Sequence, residues 1–294
     1  MARGDLTDEQ WVRLEAVLPP LPVMGRKPRD RRQVFDGIWW RARTGSPWRD
    51  VPKRYGPWET LYSVFRRWQI DGSWARVLEK LQVKADAAGH IEWEVSVDST
   101  ICRVHQHAAG ATEKVTGTTI RAGPRPDGLA SEPDDHAVGR SRGGLTTKIH
   151  LAVDSSFQVL ATAVTAGQRG DAPLFTELMN RIRVPRPGSG RPRTRPVHVL
   201  ADRAYSSREI RDYLRRRNIP HTIPEKRDQV RHRLRRGPSG GRPPVFDREK
   251  YKLRHKIENR IGLLKQARSI ATRYDKLAVR FEATIQLALI RQAL

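Results

Sequence analysis

The stretch EVSVDSTICRV, residues 94–104, has the pattern of a β-strand with an aspartate near its centre. Successive side chains of a strand point to opposite faces, so the apolar residues share one face: Val95, Val97 and Ile101. Asp98 falls on the other face, with Ser96 and Thr100. A carboxylate in a buried segment is unfavourable unless it is paired or bound to a cation, so Asp98 is a candidate functional residue.

Two more carboxylates lie in segments that the sequence predicts to be at least partly buried. Asp202 ends the apolar run VHVLAD, residues 197–202, which predicts a second strand. Glu258 lies in YKLRHKIENRIGLLK, residues 251–265, which has helical spacing. One narrow stripe of that helix carries four polar side chains: Tyr251, Arg254, Glu258 and Lys265. An amphipathic surface helix with Arg/Glu pairs would show the same spacing, so the helix alone leaves both interpretations open.

The three carboxylates together predict a metal site. Carboxylate oxygens suit hard divalent cations, so we expect Asp98, Asp202 and Glu258 to hold two Mg²⁺ or Mn²⁺ ions. Two such ions about 4 Å apart support phosphoryl transfer on nucleic acid. Arg254 and Lys265 would then meet phosphate oxygens, and Tyr251 would offer a hydroxyl or a stacking ring.

The charge of the chain agrees with a polyanionic partner. It has 56 Lys plus Arg against 32 Asp plus Glu, a formal net charge of +24. Such a field attracts DNA; RNA binding and attachment to a membrane surface are the alternatives. No apolar run reaches the roughly 20 residues that a membrane span needs. One cysteine, Cys102, fits a reducing compartment, so we expect a cytoplasmic, nucleoid-associated protein.

Aromatic usage predicts two domains, residues 1–92 and 93–294. All eight tryptophans lie in the first 93 residues: Trp11, Trp39, Trp40, Trp48, Trp58, Trp68, Trp74 and Trp93. The first domain has the spacing of short helices, beginning with a capping box at Thr7 and Gln10. Interleaved Arg and Trp favour a helix-turn-helix-like DNA-binding domain, and a plain helical bundle remains the alternative.

The second domain has the pattern of an α/β layered fold. Its expected strands are 94–102, 147–154, 157–165, 197–201 and 220–223, and its expected helices are 172–182, 206–217, 248–267 and 276–293. We expect a long loop over 105–146 and a basic insertion over 225–247. The Arg-rich segments 181–195 and 225–245 predict phosphate contacts, with solvated linkers as the alternative.

Several smaller signals have competing interpretations. His105 and His107 form an H-x-H pair without a second pair nearby, which favours a loop over a metal site. GRSRGG lacks the ending of a nucleotide P-loop, so Arg140 and Arg142 are candidate phosphate contacts instead. Asp171 precedes Ala172-Pro173 and is either a helix cap or a support of the site.

At these residues the chain resembles bacterial insertion-sequence transposases with a DDE site, in the IS-four and IS-five groups. The helix fits their signature Y-x2-R-x3-E-x6-K without a gap, from Tyr251 to Lys265. Segments similar to the IS-five group follow in order along almost the whole chain: LTDEQWVRLEAVLPP (6–20), GRSRGGLTTKIHLAVD (139–154), TAGQRGDAP (165–173), VLADRAYSS (199–207) and ATRYDKLA (271–278).

The resemblance implies an RNase H-like catalytic domain, a mixed sheet flanked by helices, preceded by a small all-helical DNA-binding domain. It implies Asp98, Asp202 and Glu258 as catalytic metal ligands and double-stranded transposon-end DNA as substrate. We therefore expect a transposase that cuts at its terminal inverted repeats and joins the ends to target DNA, as a homodimer or higher oligomer. The alternatives are an RNase H-like nuclease without strand transfer and a non-catalytic, transposase-derived regulator.

Overall fold

The computed structural model describes residues 3–21, 28–110 and 132–294. In these ranges, one sheet contains the strands β1 Glu94–Val104, β2 Gly139–Ser141, β3 Gly144–Asp154, β4 Val159–Ala166, β5 His198–Ala201, β6 His221–Thr222 and β7 Thr272–Arg273. The α-helices are α1 Asp8–Glu15, α2 Arg31–Thr44, α3 Trp58–Ile70, α4 Ser73–Ala87, α5 Gln106–Ala109, α6 Phe175–Asn180, α7 Arg208–Arg216, α8 Arg227–Arg235, α9 Arg248–Lys252, α10 His255–Lys265, α11 Arg268–Ala271 and α12 Ala278–Ala293. None of the helices in these ranges is both long enough and apolar enough to cross a membrane.

Short helices occupy the first 92 residues, as the apolar spacing predicted. The capping box is present: Gln10 N donates to Thr7 Oγ1 at 3.2 Å, and Thr7 N donates to Gln10 Oε1 at 3.1 Å. The indole of Trp74 is completely buried and donates its N–H to the carbonyl of Phe65 at 3.1 Å. Its ring packs against Phe35 of α2 and Phe65 of α3. Because the indole N–H is bonded, Trp74 can be buried between α2, α3 and α4 without an unsatisfied polar group.

The sheet has the RNase H-like strand arrangement. β3 pairs antiparallel with β1, and β4 pairs antiparallel with β3. On the other edge of β1, β5 pairs in parallel, and β6 pairs in parallel with β5. The order β4–β3–β1–β5–β6, with three antiparallel strands followed by two parallel ones, confirms the predicted fold class.

One edge of β1 is divided between two partners. β5 pairs with residues 94–97, and β7 pairs with residues 103–104. Between them, residues 98–102 have no strand partner on this edge in the described part of the chain. This interval leaves backbone groups of β1 accessible beside the end of β5, and it begins at Asp98.

Helices cover both faces of the sheet. Val95 and Val97 share an apolar core with Phe175 of α6 and Leu214 of α7. The opposite face packs on α10 and α12 through a second core, which includes Cys102 of β1. Asp98 lies on this second face, because alternation places it in phase with Cys102. It is therefore a charged residue on a covered face.

The second core extends across the boundary that aromatic usage predicted near residue 92. It contains Phe35 and Trp74 of the first region together with Phe281 and Leu289 of α12. α12 packs against α2 and α4, and α11 packs against α2, where Gly45 ends α2 in a left-handed conformation with φ +72°. The last helix of the chain thus completes the core of the first helices.

Two predicted irregular segments contain regular structure. The expected long loop over 105–146 holds α5 at its start and β2 and the beginning of β3 at its end, while 111–131 lie outside the described residues. The expected basic insertion over 225–247 holds α8. Periodicity missed these elements because they are short, and α8 has no buried residue to reveal an apolar stripe.

His150 is one of the buried titratable groups of the sheet. It lies on β3 with 1% of its surface exposed, and its Nε2 is 2.9 Å from Thr165 Oγ1. Burial lowers the pKa of His150 to about 4. The folded protein therefore holds this imidazole neutral where the unfolded chain would protonate it.

Replacing Phe281 with alanine should destabilise the first region and the sheet together. Its ring is completely buried in the shared core, so Phe281→Ala is expected to lower the free energy of unfolding by about 3–5 kcal/mol. Tryptophan fluorescence should report this loss in urea titrations, although every tryptophan precedes residue 94. Val12→Ala, at a site 65% exposed, is the control. An unchanged fluorescence transition would contradict a shared core.

His150 should contribute to loss of stability in acid. Because its folded pKa is lowered, its contribution is present above the unfolded pKa of about 6.5 and is lost as pH falls toward 4. Relative to His150→Gln, the wild type is expected to lose roughly 3 kcal/mol of unfolding free energy between pH 7 and pH 4. Urea titrations across this range measure the difference, with exposed His90→Gln as control. Parallel pH curves for wild type and His150→Gln would refute it.

Candidate active site

Asp98 and Asp202 lie level with each other on neighbouring strands. The parallel register pairs Val97 of β1 with Ala201 of β5, and the next residue of each strand is the aspartate. β5 ends at this point, so both carboxylates stand where the sheet opens beside the free edge of β1. The structure thus brings together two of the three predicted carboxylates.

Local backbone hydrogen bonds orient both aspartates. Ser99 N donates to Asp98 Oδ1 at 2.8 Å, and Ala204 N donates to Asp202 Oδ1 at 2.8 Å. The second bond makes Asp202 the cap of a 3₁₀ turn over Arg203–Tyr205. One oxygen of each carboxylate is therefore fixed by a backbone N–H one or two residues further along the chain.

Arg254 stands between Asp98 and the third carboxylate. Its Nη2 donates to Asp98 Oδ2 at 2.5 Å, and its Nη1 donates to Glu258 Oε1 at 2.7 Å. The side chains of Arg254 and Asp98 are 15% and 18% exposed, whereas that of Glu258 is 59% exposed. Glu258 is thus tied to Asp98 through a guanidinium instead of sharing one point with both aspartates.

The electrostatics of Asp98 suit a site that receives a cation. Burial raises the pKa of Asp98 above its ordinary value, Arg254 opposes that effect, and Asp202 and Asp171 add to it. The oxygen-only donor set of Asp98 and Asp202 fits a hard divalent cation. In the described ranges, no three His, Cys, Asp or Glu side chains are arranged to hold a metal, so Glu258 would have to leave Arg254 to join them.

The predicted helix over 248–267 is divided in two. α9 ends at Lys252 and α10 begins at His255, and the bonds across the junction span three residues, as from Ile257 N to Arg254 O at 3.1 Å. The expectation of one continuous helix is therefore wrong. At this tighter turn, the guanidinium of Arg254 lies between the carboxylates of Asp98 and Glu258.

Of the other two members of the signature, Lys265 contacts β1. Tyr251 packs against Phe246, with ring centroids 5.2 Å apart. Lys265 Nζ donates to the carbonyl of Ile101 at 2.9 Å. That carbonyl lies in the interval of β1 between its two strand partners, so Lys265 satisfies a backbone group that the sheet does not.

Asp171 is not a side-chain cap; its carboxylate bonds the residue next to Asp98. The 3₁₀ turn Ala172–Leu174 that follows it has no side-chain capping bond. Instead, Asp171 Oδ1 accepts from Ser99 Oγ at 2.7 Å and from Lys148 Nζ at 2.9 Å. Burial acts to raise the pKa of Asp171, but these two donors outweigh it and hold the pKa below its ordinary value.

Sequence reasoning missed Lys148 and Tyr205. Lys148 is 8% exposed on β3, and Tyr205 is 1% exposed just after Asp202. A lysine within the apolar run of β3 was a usable signal, because buried cations require a partner. The position of Tyr205 carried no such signal, since a tyrosine after a strand is ordinary.

Arg140 and Arg142 lie apart from the carboxylates. Both are exposed, Arg140 on β2 and Arg142 at the turn between β2 and β3. Asp98 pairs with Leu151, seven residues along β3 from Gly144, which corresponds to roughly 20 Å. These arginines can therefore meet only DNA that extends well beyond the reacting phosphate.

Four of the six arginines of the segment 181–195 are engaged with the protein itself, including Arg195, which donates to the carbonyl of Asn218. Arg181 bonds Glu177, Arg183 bonds Glu79, and Arg193 bonds Asp86 and stacks over Trp93: distances to the three carboxylates are 2.6, 3.2 and 2.9 Å. Their role in holding the fold reduces the support for phosphate contact by this segment.

The imidazole rings of His105 and His107 pack edge to face, with centroids 4.5 Å apart. His105 also lies 4.9 Å from the ring of Tyr274, and its Nδ1 accepts from the backbone of His107 at 3.3 Å. These contacts agree with a structural role at the start of α5.

Two family models match the chain. A model for transposases of the IS4/5 family matches residues 6–78, and a model described as transposase DDE domain matches residues 90–292. The second match alone covers well over half of the chain. The boundary between the two matches falls near the junction that tryptophan usage predicted.

Individual relatives are shorter than this chain. Uncharacterized protein y4sN of Sinorhizobium fredii is 38% identical over 118 residues, which are 40% of this chain and 90% of the relative. An uncharacterized 16.2 kDa protein of insertion element IS402 from Burkholderia cepacia is 34% identical over 45% of this chain and 92% of its own length.

Among solved structures, the piggyBac transposase synaptic complex with hairpin DNA aligns with a TM-score of 0.39 and 12% identity. The alignment covers 98% of this chain and 72% of that one. A TM-score this low does not support a family assignment, so the family of this chain is assigned from the two family models alone. They support a transposase over a nuclease without strand transfer and over a non-catalytic regulator. The chain belongs to the DDE transposases of the IS4/IS5 type, enzymes that act on DNA and depend on divalent metal ions.

Proposed function

We propose that this transposase binds the terminal inverted repeats of its insertion sequence and cuts and joins them at Asp98, Asp202 and Glu258. The observation that carries the proposal is the level placement of Asp98 and Asp202 on paired strands, with Arg254 linking Asp98 to Glu258. Cleavage uses water, and strand transfer uses the freed 3′-hydroxyl against target DNA.

The three carboxylates would hold two Mg²⁺ or Mn²⁺ ions, which activate the attacking oxygen and stabilise the leaving oxygen. Asp98 and Asp202 are already level with each other on neighbouring chain segments. Glu258 is largely exposed and reaches them when Arg254 releases it.

Arg254 would exchange partners when DNA binds. A guanidinium binds phosphate oxygens in the same two-pronged way as it binds carboxylates. A strand phosphate that takes Arg254 Nη1 frees Glu258 while the strand is drawn to Asp98. Tyr251 would orient the terminal nucleotide, and Lys265 would steady β1 beside the phosphate.

A basic stripe on α8 would hold DNA that leads to the site. Arg227, Arg231 and Arg235 are four residues apart, so they share one helical face, and all three are exposed. This face belongs to the predicted basic insertion over 225–247. Arg140 and Arg142 would contact DNA farther out along the sheet.

Residues 1–92 would recognise the inverted repeat. Their short helices, basic residues and net charge suit a helix-turn-helix-like reader. Both ends of the insertion sequence must be held together when they are joined to target DNA. The working complex would therefore contain at least two copies of the chain. Since 93–294 shares a core with 1–92, recognition and chemistry would move as one body.

Replacing Asp202 should abolish chemistry without preventing DNA binding. Asp202→Asn keeps an acceptor for Ala204 N but removes a charge, so cleavage of end DNA in Mg²⁺ is expected to fall by about 10³-fold, about 4 kcal/mol in the barrier. The substrate is a duplex that carries the sequences flanking the reading frame. Asp212→Asn on α7, paired with Arg215, is the control. Undiminished cutting by Asp202→Asn would remove this site assignment.

Neutralising the α8 stripe should weaken DNA binding and its dependence on salt. The triple variant Arg227→Ser, Arg231→Ser, Arg235→Ser should lower the slope of log affinity against log salt by about 0.9 for each phosphate that it no longer neutralises. Fluorescence anisotropy with end DNA at salt concentrations from about 50 to about 200 mM measures it. A matched variant removes three exposed charges from α7: Arg208, Arg215 and Arg216. Equal decreases in both triple variants would rule out a specific role for α8.

A further inference from the structure

Tyr205 is a buried tyrosine at the end of the turn that Asp202 begins. Its backbone N–H donates to the carbonyl of Asp202 at 3.1 Å, which fixes it one 3₁₀ turn after that carboxylate. Its ring packs against Phe175, with centroids 5.7 Å apart, and only 1% of the residue is exposed. Phe175 follows the 3₁₀ turn Ala172–Leu174, and Asp171 precedes it. The contact between Tyr205 and Phe175 therefore joins the segment that carries Asp202 to the segment that carries Asp171.

The hydroxyl of Tyr205 has no hydrogen-bond partner in the part of the chain that the structure describes. Buried hydroxyl groups in folded proteins are almost always bonded, because losing water without replacement is unfavourable. A phenylalanine would fill the same space without this penalty. The hydroxyl group therefore calls for an explanation other than packing.

The charges of three carboxylates act on this hydroxyl. Burial, together with the charges of Asp171, Asp98 and Asp202, raises the pKa of Tyr205 well above its ordinary value, so the oxygen keeps its proton. Asp171 is already engaged by Ser99 and Lys148. A protonated phenol without a partner, one 3₁₀ turn after Asp202, is available to donate to a group that binds at this site.

We propose that Tyr205 is a catalytic hydrogen-bond donor for an oxygen atom held between Asp98 and Asp202, and this rests on the function proposed above. That oxygen belongs either to the attacking water or to a non-bridging position of the scissile phosphate. Tyr205 keeps its proton throughout and positions the oxygen or stabilises its charge. A donor fixed by burial requires no reorganisation during reaction, which is where such groups are most effective.

The variant that tests this is Tyr205→Phe, and its matched control is Tyr213→Phe. Both tyrosines pack against Phe175, with centroids 5.7 and 6.2 Å away. The Tyr213 hydroxyl, however, donates to Asn180 Oδ1 at 2.8 Å and lies outside the site. Because Tyr205→Phe removes an unpaired buried hydroxyl, its melting temperature should equal or exceed that of the wild type.

Two reactions on the same end sequence separate the two sources of the oxygen. Cleavage of intact end DNA uses water as nucleophile, whereas joining of pre-cut ends to a plasmid uses the 3′-hydroxyl. If Tyr205 holds the water, Tyr205→Phe should slow cleavage on the order of 10²-fold and leave joining unchanged. If it holds the phosphate oxygen, both reactions should slow, with unchanged affinity for end DNA in anisotropy.

Wild-type rates in both reactions with Tyr205→Phe would overturn the inference. So would a decrease matched by Tyr213→Phe, or a decrease that follows a lowered melting temperature, since each indicates packing alone. These outcomes are distinct from failure of the proposed function, in which the wild type itself neither cuts nor joins end DNA in Mg²⁺.

Discussion

The division of one edge of β1 between two partners is the constraint on which the site depends. β5 accompanies β1 only as far as Val97, and β7 rejoins it at Arg103, so the backbone between them is free for other contacts. Asp98 begins that interval, and Lys265 bonds Ile101 within it. A full-length β5 would have satisfied this edge and excluded both the helix that carries Arg254 and any nucleic acid.

Acidic groups at this opening are balanced by cations from separate elements. Arg254 holds Asp98 from the helical side, and Lys148 holds Asp171 from the sheet. Isolated buried carboxylates would be far less favourable, so these pairs make the concentration of charge tolerable. Among the described residues, the buried Tyr205 hydroxyl still has no hydrogen-bond partner. Two extensive apolar cores, one on each face of the sheet, supply the stability that permits such a site.

Prediction from sequence succeeded where a pattern is local. Alternation located β1, β3, β4 and β5 within a few residues, and the apolar run before Asp202 located the end of a strand beside Asp98. It failed where neighbours decide the outcome. Helical spacing could not show the break before His255, which accompanies the contacts of Arg254 with two carboxylates. Nor could it show that Lys265 bonds a backbone carbonyl of β1 in the structure without DNA.

The amino-acid order by itself determined the fold class, the family and the residue types of the site. Periodicity, charge and motif spacing are properties of neighbouring positions, and they need no knowledge of what packs against them. Only the tertiary structure decided that α12 completes the core of the first helices, that Arg254 separates Glu258 from Asp98, and that the Tyr205 hydroxyl is buried without a partner among the described residues. These features depend on contacts between residues far apart in the chain, whose register and burial emerge only when sheet and helices close around one another.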